Sequence, residues 1–298
     1  MQQVSLILLL RNGEKFLPNL LAMLDAQDGD FFLELVVVDS ASEDQGLKLI
    51  KEFKSNKIVT KKIFEIKKED FSHGGTRNFA VRQTTSDLVV FLSQDALPTN
   101  EFWLNNLLKH FQNKKIGGVF GRQLPWEKTN YFERYFYGAS YPDRERIIDN
   151  ENSENFSNQN LFFSNVNGAA RRKLLCKFPF REDLLMSEDQ FWGREAIKNG
   201  YQIIYEPQAA VWHAHNYTLK ELFKRYYQSG YSQRQMKLGG NPFSKGLGTS
   251  FGLFFWVLKT KPYLLPTVMI YLSTKGGSFF LGRKKVLPET LEKKFLKS

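Results

Sequence analysis

The 298-residue sequence predicts an α/β fold built on a mostly parallel sheet. Three observations carry that reading. Over the first half, apolar runs of strand length alternate with segments of helical period, the pattern of successive βαβ units. The runs are nearly continuous in Val, Ile and Leu, as in strands buried on both faces. Several of them stop abruptly at a polar or acidic residue, and in open α/β sheets ligands bind beyond the carboxyl ends of the strands.

Taken in order, residues 4–10 form the first strand, and 14–26 the first helix, with Phe16, Leu17, Leu20, Leu21 and Leu24 on one stripe. Residues 33–38 form the second strand, which ends at Asp39, and Ser42 is placed to cap a helix running to Phe53. A third strand covers 58–66, a helix 76–83, and a fourth strand 88–92, which delivers Ser93, Gln94 and Asp95 to the sheet edge. A helix over 100–111 and a strand over 116–122 follow. Residues 141–159 are polar and read as a loop near the site, of the kind that can act as a lid. Order returns at 161–167, then comes a helix over 187–198 and two short strands, 202–205 and 209–212. Beyond Thr218 the pattern is helical, with breaks expected at Gly239-Gly240, Pro262 and Gly276-Gly277. This region has apolar surface that something else must cover, so it is not expected to fold alone.

A hydrophobic content of 42% supports one large domain with an appendage and excludes bulk disorder. The single cysteine, Cys176, excludes an internal disulfide and suits a reducing compartment, with a buried thiol expected. The amino-terminal run lacks the basic flank and cleavage site of a signal peptide. The late apolar stretches 246–258 and 262–274 fall short of the ~20 residues that span a bilayer, so they suit lying on a membrane rather than crossing it. Residues 213–298 carry 15 Lys and Arg against 3 Glu, whereas 1–212 carry 27 against 28 acids, so the whole excess of +11 belongs to the last third. Basic residues interleaved with Phe, Trp and Leu suit an anionic membrane surface. No nucleic-acid-binding signature accompanies them, and a solvated basic tail is the bland alternative.

Four polar islands fall at element ends. Asp39 and Ser40 are placed to bind a ribose or base edge, or simply to shape a turn. No G-x-G-x-x-G follows either early strand, which removes most support for a dinucleotide enzyme. Phe71-Ser72-His73-Gly74-Gly75-Thr76-Arg77-Asn78 opens a helix whose glycines and free N–H groups suit an anion such as a diphosphate, or a plain turn. Glu188 and Asp189 sit in the first turn of a helix, where the macrodipole favours their ionised forms; one of them can serve as a general base. His213 and His215 follow a strand in an H-x-H arrangement that suits a divalent metal or a structural pair.

In this order the islands resemble the inverting glycosyltransferases of family two with the GT-A fold, and within them the bacterial rhamnosyltransferases. The matching residues are Val37-Val38-Asp39-Ser40-Ala41-Ser42, the stretch 71–78, Ser93-Gln94-Asp95-Ala96, Gly121-Arg122-Gln123, Ser187-Glu188-Asp189-Gln190-Phe191 with Arg194 and Gly200-Tyr201, and the segment 211–218. The resemblance spans roughly residues 4–235. It implies a GT-A domain over 1–215, with 1–122 binding the nucleotide sugar and 123–215 the acceptor, and a helical, basic C-terminal region over 216–298. It implies that Asp39, Ser40, Arg77, Gln94 and Asp95 hold the donor, that Asp95 and His213 bind Mg²⁺ or Mn²⁺, and that Asp189 is the base. Glu188 and Trp192 fall to the acceptor side. The donor implied is dTDP-L-rhamnose and the acceptor lipid-linked or polysaccharide, at the cytoplasmic face of the inner membrane, with no nucleic acid involved. A UDP-hexose donor, or a non-catalytic nucleotide-binding module, is the alternative. The family commonly carries Asp-x-Asp at the strand tip, and Ser93 replaces the first Asp here, which puts strict metal dependence in question.

Overall fold

In the computed structural model, residues 2–149, 162–236, 243–286, 288, 292, 295 and 296 are described. The first half alternates strand and helix: β1 (Gln2–Leu10), α1 (Leu17–Asp25), β2 (Phe31–Asp39), α2 (Gly46–Glu52), β3 (Ile58–Glu65), α3 (His73–Gln83) and β4 (Leu88–Leu92). These four strands lie in the order β3-β2-β1-β4, all parallel, so the tips at Leu10, Asp39 and Leu92 share one edge.

Then come β5 (Leu97–Pro98), α4 (Trp103–Leu108), β6 (Ile116–Leu124), α5 (Tyr131–Ser140), β7 (Arg146–Ile148), β8 (Asn167–Arg171), α6 (Arg172–Lys177), α7 (Glu188–Lys198) and β9 (Gln202–Trp212). β8 enters antiparallel between β4 and β6, β9 runs parallel to β6, and β5 and β7 pair with β9. Alternation along β1 supplies both cores: Leu6, Leu8 and Leu10 pack with α1 and α4, while Ile7 faces Val36, Phe91, Phe180 and Trp192. On α1, Leu17, Leu20, Leu21 and Leu24 are at most 1% exposed, and each such side chain contributes about 1.5–3 kcal/mol on burial.

The helices α8 (Leu219–Gln235), α9 (Phe243–Thr260) and α10 (Leu265–Lys284) bear out the helical reading beyond Thr218. They share one core with α5, in which Phe132 meets Leu222, Leu253, Val257, Val268 and Tyr271. That contact covers the apolar surface expected to need a partner. Among the described residues no helix is long and apolar enough to cross a membrane.

Several expectations are corrected. Ser42 does not cap α2; Gln45 holds that position without a side-chain bond, because Ser42 donates to the Asp39 carboxylate instead. The helix expected at residue 76 begins at His73 with Ser72 as its cap, so Gly74 and Gly75 lie inside a helix. A Cβ on Gly74 would sit 2.2 Å from the Arg181 carbonyl oxygen, and close packing rather than ligand approach explains that glycine. Residues 202–212 form one strand rather than two, and Gly276-Gly277 lie within α10 and do not break it. Within the segment read as loop, Arg146–Ile148 is a strand on β9, and residues 150–161 lie outside the described residues, as do Gly239-Gly240. Cys176 is exposed, because α6 buries Leu174 and Leu175 on its other face.

Candidate active site

The tips of β1, β2 and β4 are tied together by local chemistry. Gln94 Oε1 accepts from the Arg11 backbone N–H at 2.9 Å and its Nε2 donates to the Arg11 carbonyl at 2.8 Å. The Arg11 guanidinium donates to the Ser40 carbonyl. Asp39 is buried, and Ser42 engages it through its backbone N–H at 3.0 Å and its hydroxyl. A cavity of about 410 Å³ opens over these tips, lined by Arg11, Ser40, Phe71, Arg77, Gln94 and Asp95 among others. Ser40, Arg77, Gln94 and Asp95 thus come together there as expected, whereas Asp39 stands behind Ser40.

Asp95 also lines a second cavity of about 490 Å³, together with Glu188, Asp189, His213 and His215. His213 Nε2 lies 3.7 Å from Asp95 Oδ1, and His215 Nε2 lies 3.8 Å from Oδ2. Gly121 makes this convergence possible: its Cα approaches β9 so closely that a Cβ would sit 1.9 Å from the Ala209 carbonyl oxygen. Between Gly121 and Gln123 the pairing jumps from Glu206 to Val211, so β9 bulges by three residues there, which turns its end and His213 toward the strand tips.

His213 is 6% exposed, and burial first of all holds its imidazole down to about 4, well below the usual histidine range. Gln123 spends its amide N–H on Ser164 at 3.1 Å, so its Oε1 accepts from His213 Nδ1 at 2.9 Å. The Nε2 lone pair is thereby aimed at Asp95. Burial also lowers His215. Two neutral imidazoles and a carboxylate, with ligand atoms all within 4.8 Å of one another, turn lone pairs toward each other, and a divalent cation satisfies that arrangement. The H-x-H spacing offered both histidines for a metal and the expected ligand set kept only His213, whereas His215 lies as close to Asp95 as His213 does.

The two adjacent acids are separated by their surroundings. Arg77 donates to Glu188 Oε1 at 2.9 Å, and Asn165 Nδ2 donates to the same oxygen at 3.1 Å. Asp189 accepts from the backbone N–H of Asn165 at 3.1 Å and of Gln190 at 2.8 Å. Its side chain is half-buried by area yet closed in by protein; desolvation, then the Glu188 charge, raises it to about 6. Desolvation therefore outweighs the macrodipole that was expected to favour ionisation. Ser187, in the left-handed region at φ 66°, turns the chain so that α7 starts against the cavity.

Trp192, expected on the acceptor side, is corrected: it is 1% exposed and packs between Phe163 and Phe180 in the core. Asn165 was missed altogether, since a lone Asn in a loop has no periodic signal. Also missed were Tyr137 on α5 and Arg225 on α8, which line the second cavity, while Tyr217 entered only as part of the matching segment 211–218.

The model of glycosyl transferase family 2 matches residues 5–177. The chain belongs to that family. Two relatives extend the likeness over most of the glycosyltransferase. It is 30% identical to the O-antigen chain rhamnosyltransferase RfbN of Salmonella typhimurium over 290 residues, 94% of this chain and 90% of that one. It is 32% identical to the O-antigen chain rhamnosyltransferase WbaN of Salmonella anatum over 261 residues, 84% of this chain and 79% of the other. Among solved structures, the mannosyltransferase PcManGT from Pyrobaculum calidifontis, in complex with GDP-Man and Mn²⁺, superposes with a TM-score of 0.61 at 19% identity, covering 98% of this chain and 84% of that one. S. aureus TarS 1-349 in complex with UDP-GlcNAc superposes with a TM-score of 0.57 at 19% identity, over 98% and 83%. These likenesses establish the GT-A fold, and the family makes the protein an inverting glycosyltransferase.

Proposed function

We propose that this glycosyltransferase moves L-rhamnose from dTDP-L-rhamnose onto a hydroxyl of a lipid-linked or polysaccharide acceptor in cell-surface glycan synthesis. The observation that carries the sugar assignment is the identity of 30% and 32% to two O-antigen chain rhamnosyltransferases over most of the chain. In this reading the first cavity takes the donor. Ser40 takes the nucleoside end, with Asp39 shaping that strand tip through its bonds from Ser42, and Gln94 and Asp95 take the diphosphate end. Arg77 contributes to the donor side from the wall between the two cavities, although its nearest charge is Glu188.

Asp189 takes the proton from the acceptor hydroxyl, and the oxygen attacks the anomeric carbon from the face opposite the diphosphate. The carbon–oxygen bond to the diphosphate breaks, its electron pair leaves with the phosphate oxygen, and the configuration inverts. A divalent cation held by Asp95, His213 and His215 would supply charge neutralisation for the leaving diphosphate. Two imidazoles beside one carboxylate favour Mn²⁺ over Mg²⁺, which prefers oxygen ligands and water. Glu188, buried and neutralised by Arg77, supports the acceptor side by keeping its neighbour as the base.

The C-terminal helices support a location on a membrane surface. Phe251, Phe255, Leu258, Tyr263, Met269 and Ile270 are all exposed, with Lys259 and Lys261 beside them. Apolar surface rimmed by basic residues suits an anionic bilayer.

Transfer assayed across dTDP-rhamnose, UDP-glucose, UDP-galactose and UDP-N-acetylglucosamine decides the donor. Turnover with dTDP-rhamnose is expected, and turnover confined to a UDP-sugar sinks the rhamnose assignment.

A further inference from the structure

The second cavity has a wall that none of the donor, metal or base assignments uses. Glu133, Phe136 and Tyr137 come to it from α5, with Tyr217, Arg225 and Tyr226 from the start and first turns of α8. We propose that this wall is the acceptor-saccharide subsite: its aromatic rings take the apolar face of a pyranose, and Glu133 and Arg225 bind the hydroxyls. The inference rests on the glycosyltransfer reading, because it is Asp189, in the same cavity, that gives a saccharide there something to react through.

The chemistry of the wall matches a sugar. A pyranose presents an apolar C–H face and a rim of hydroxyls, so it needs flat rings on one side and charged hydrogen-bonding groups at the edge. The Arg225 guanidinium is exposed to the cavity, lies 5.8 Å from the Tyr217 ring centroid, and meets no carboxylate among the described residues. Its donors are therefore available to a ligand. Glu133 is 4% exposed and accepts from the Tyr271 hydroxyl at 2.6 Å, which fixes its carboxylate at the cavity edge.

The wall is also held in place from behind. The Lys275 Nζ on α10 lies 3.0 Å from the Phe136 ring centroid, 4.7 Å from that of Tyr226 and 5.6 Å from that of Tyr271. Half-buried among three rings, this amine is held down to about 7 by desolvation, and it keeps that place only where the surroundings are well packed. It connects the last long helix to the two elements that carry the rings. The C-terminal helices thus contribute to the site directly, beyond any contact with a membrane.

The test uses the full chain with Arg225→Gln and Tyr137→Leu, dTDP-rhamnose as donor, and phenoxyundecyl-diphosphate-linked glucose, galactose, N-acetylglucosamine and rhamnose as acceptor probes. Each variant is expected to raise the KM for the accepted probe at least tenfold while the KM for the donor stays within twofold. An unchanged acceptor KM in both variants, or a donor KM that rises equally, overturns the subsite. Should the wild type glycosylate no probe, the transfer reading fails separately, and binding of the same probes in the presence of dTDP, followed by saturation-transfer NMR, decides the subsite. Binding lost in both variants supports it; binding retained in them, or absent from the wild type, overturns it.

Discussion

The Arg77 guanidinium and the Glu188 carboxylate meet at 2.9 Å, both largely buried, although 111 positions separate them in the chain. The contact decides which of two adjacent acids is left unpaired. Glu188 is neutralised, and Asp189, with only backbone N–H partners and a charged neighbour, keeps a raised proton affinity. Pairs of carboxylates driven apart in this way are how a fold assigns one of them to proton transfer.

Replacing Arg77 with Met is expected to leave Glu188 as a buried unpaired charge and to cost about 3–5 kcal/mol of stability. Chemical denaturation measures that loss. Of two buried acids, the loss of their shared cation should also move the acidic limb of the pH–rate profile upward, and an unmoved limb would separate Arg77 from Asp189.

Asp189→Asn should lower transfer by about 10²–10⁴-fold while nucleotide binding by calorimetry is retained. Wild-type activity should rise with pH through about 6, where Asp189 ionises. The stability sign follows from the same shift. The folded state holds this proton up to about 6 whereas the unfolded chain releases it near 3.8, so stability is lost as pH rises across that window. The variant should therefore gain melting temperature over the wild type at pH 8, with the difference vanishing below pH 4.

Gln123→Ala removes the acceptor that holds His213 Nδ1 and so frees the ring to turn its lone pair away from Asp95. An outer partner of this kind is worth about 10–100-fold in metal affinity. The Mn²⁺ concentration giving half-maximal transfer should rise by that factor, and a chelator should lower wild-type turnover. Equal Mn²⁺ curves for variant and wild type would show that Gln123 does not orient His213 for the metal.

Phe251 and Phe255 are 59% and 62% exposed on one face of α9. If each enters a bilayer it contributes about 1.5–3 kcal/mol, so a Phe251→Ser, Phe255→Ser double variant should bind anionic liposomes at least about tenfold more weakly in sedimentation. High salt should weaken the wild type as well, through its lysines.

Trp192→Ala should cost about 3–5 kcal/mol through the cavity it leaves in the core. Because the indole touches no ligand space, the acceptor KM of the folded fraction is expected to stay unchanged; a selective rise would return Trp192 to the acceptor side.

Much of the parallel half was legible because its signals are local. Buried runs such as 88–92 have no amphipathic ambiguity, and their carboxyl ends show where ligands gather. What was misread depended on distant neighbours. Ser42 looks like a helix cap until Asp39 offers a nearer acceptor, and Gly74 looks like a ligand-approach glycine until the Arg181 carbonyl fills the space. β8, short and rich in Gly and Ala, carries no strand signal of its own, and it is a strand because β4 and β6 flank it.

The sequence by itself determined the fold class, the family and the residue types of the chemistry, since hydrophobic period and motif order are properties of the chain read along its length. The tertiary structure alone decided which acid is free, which histidines face Asp95 and that Trp192 belongs to the core. Charge pairing, desolvation and lone-pair direction depend on groups far apart in the chain, 111 positions for Arg77 and Glu188 and 90 for Gln123 and His213, and only packing brings those groups within a few ångströms.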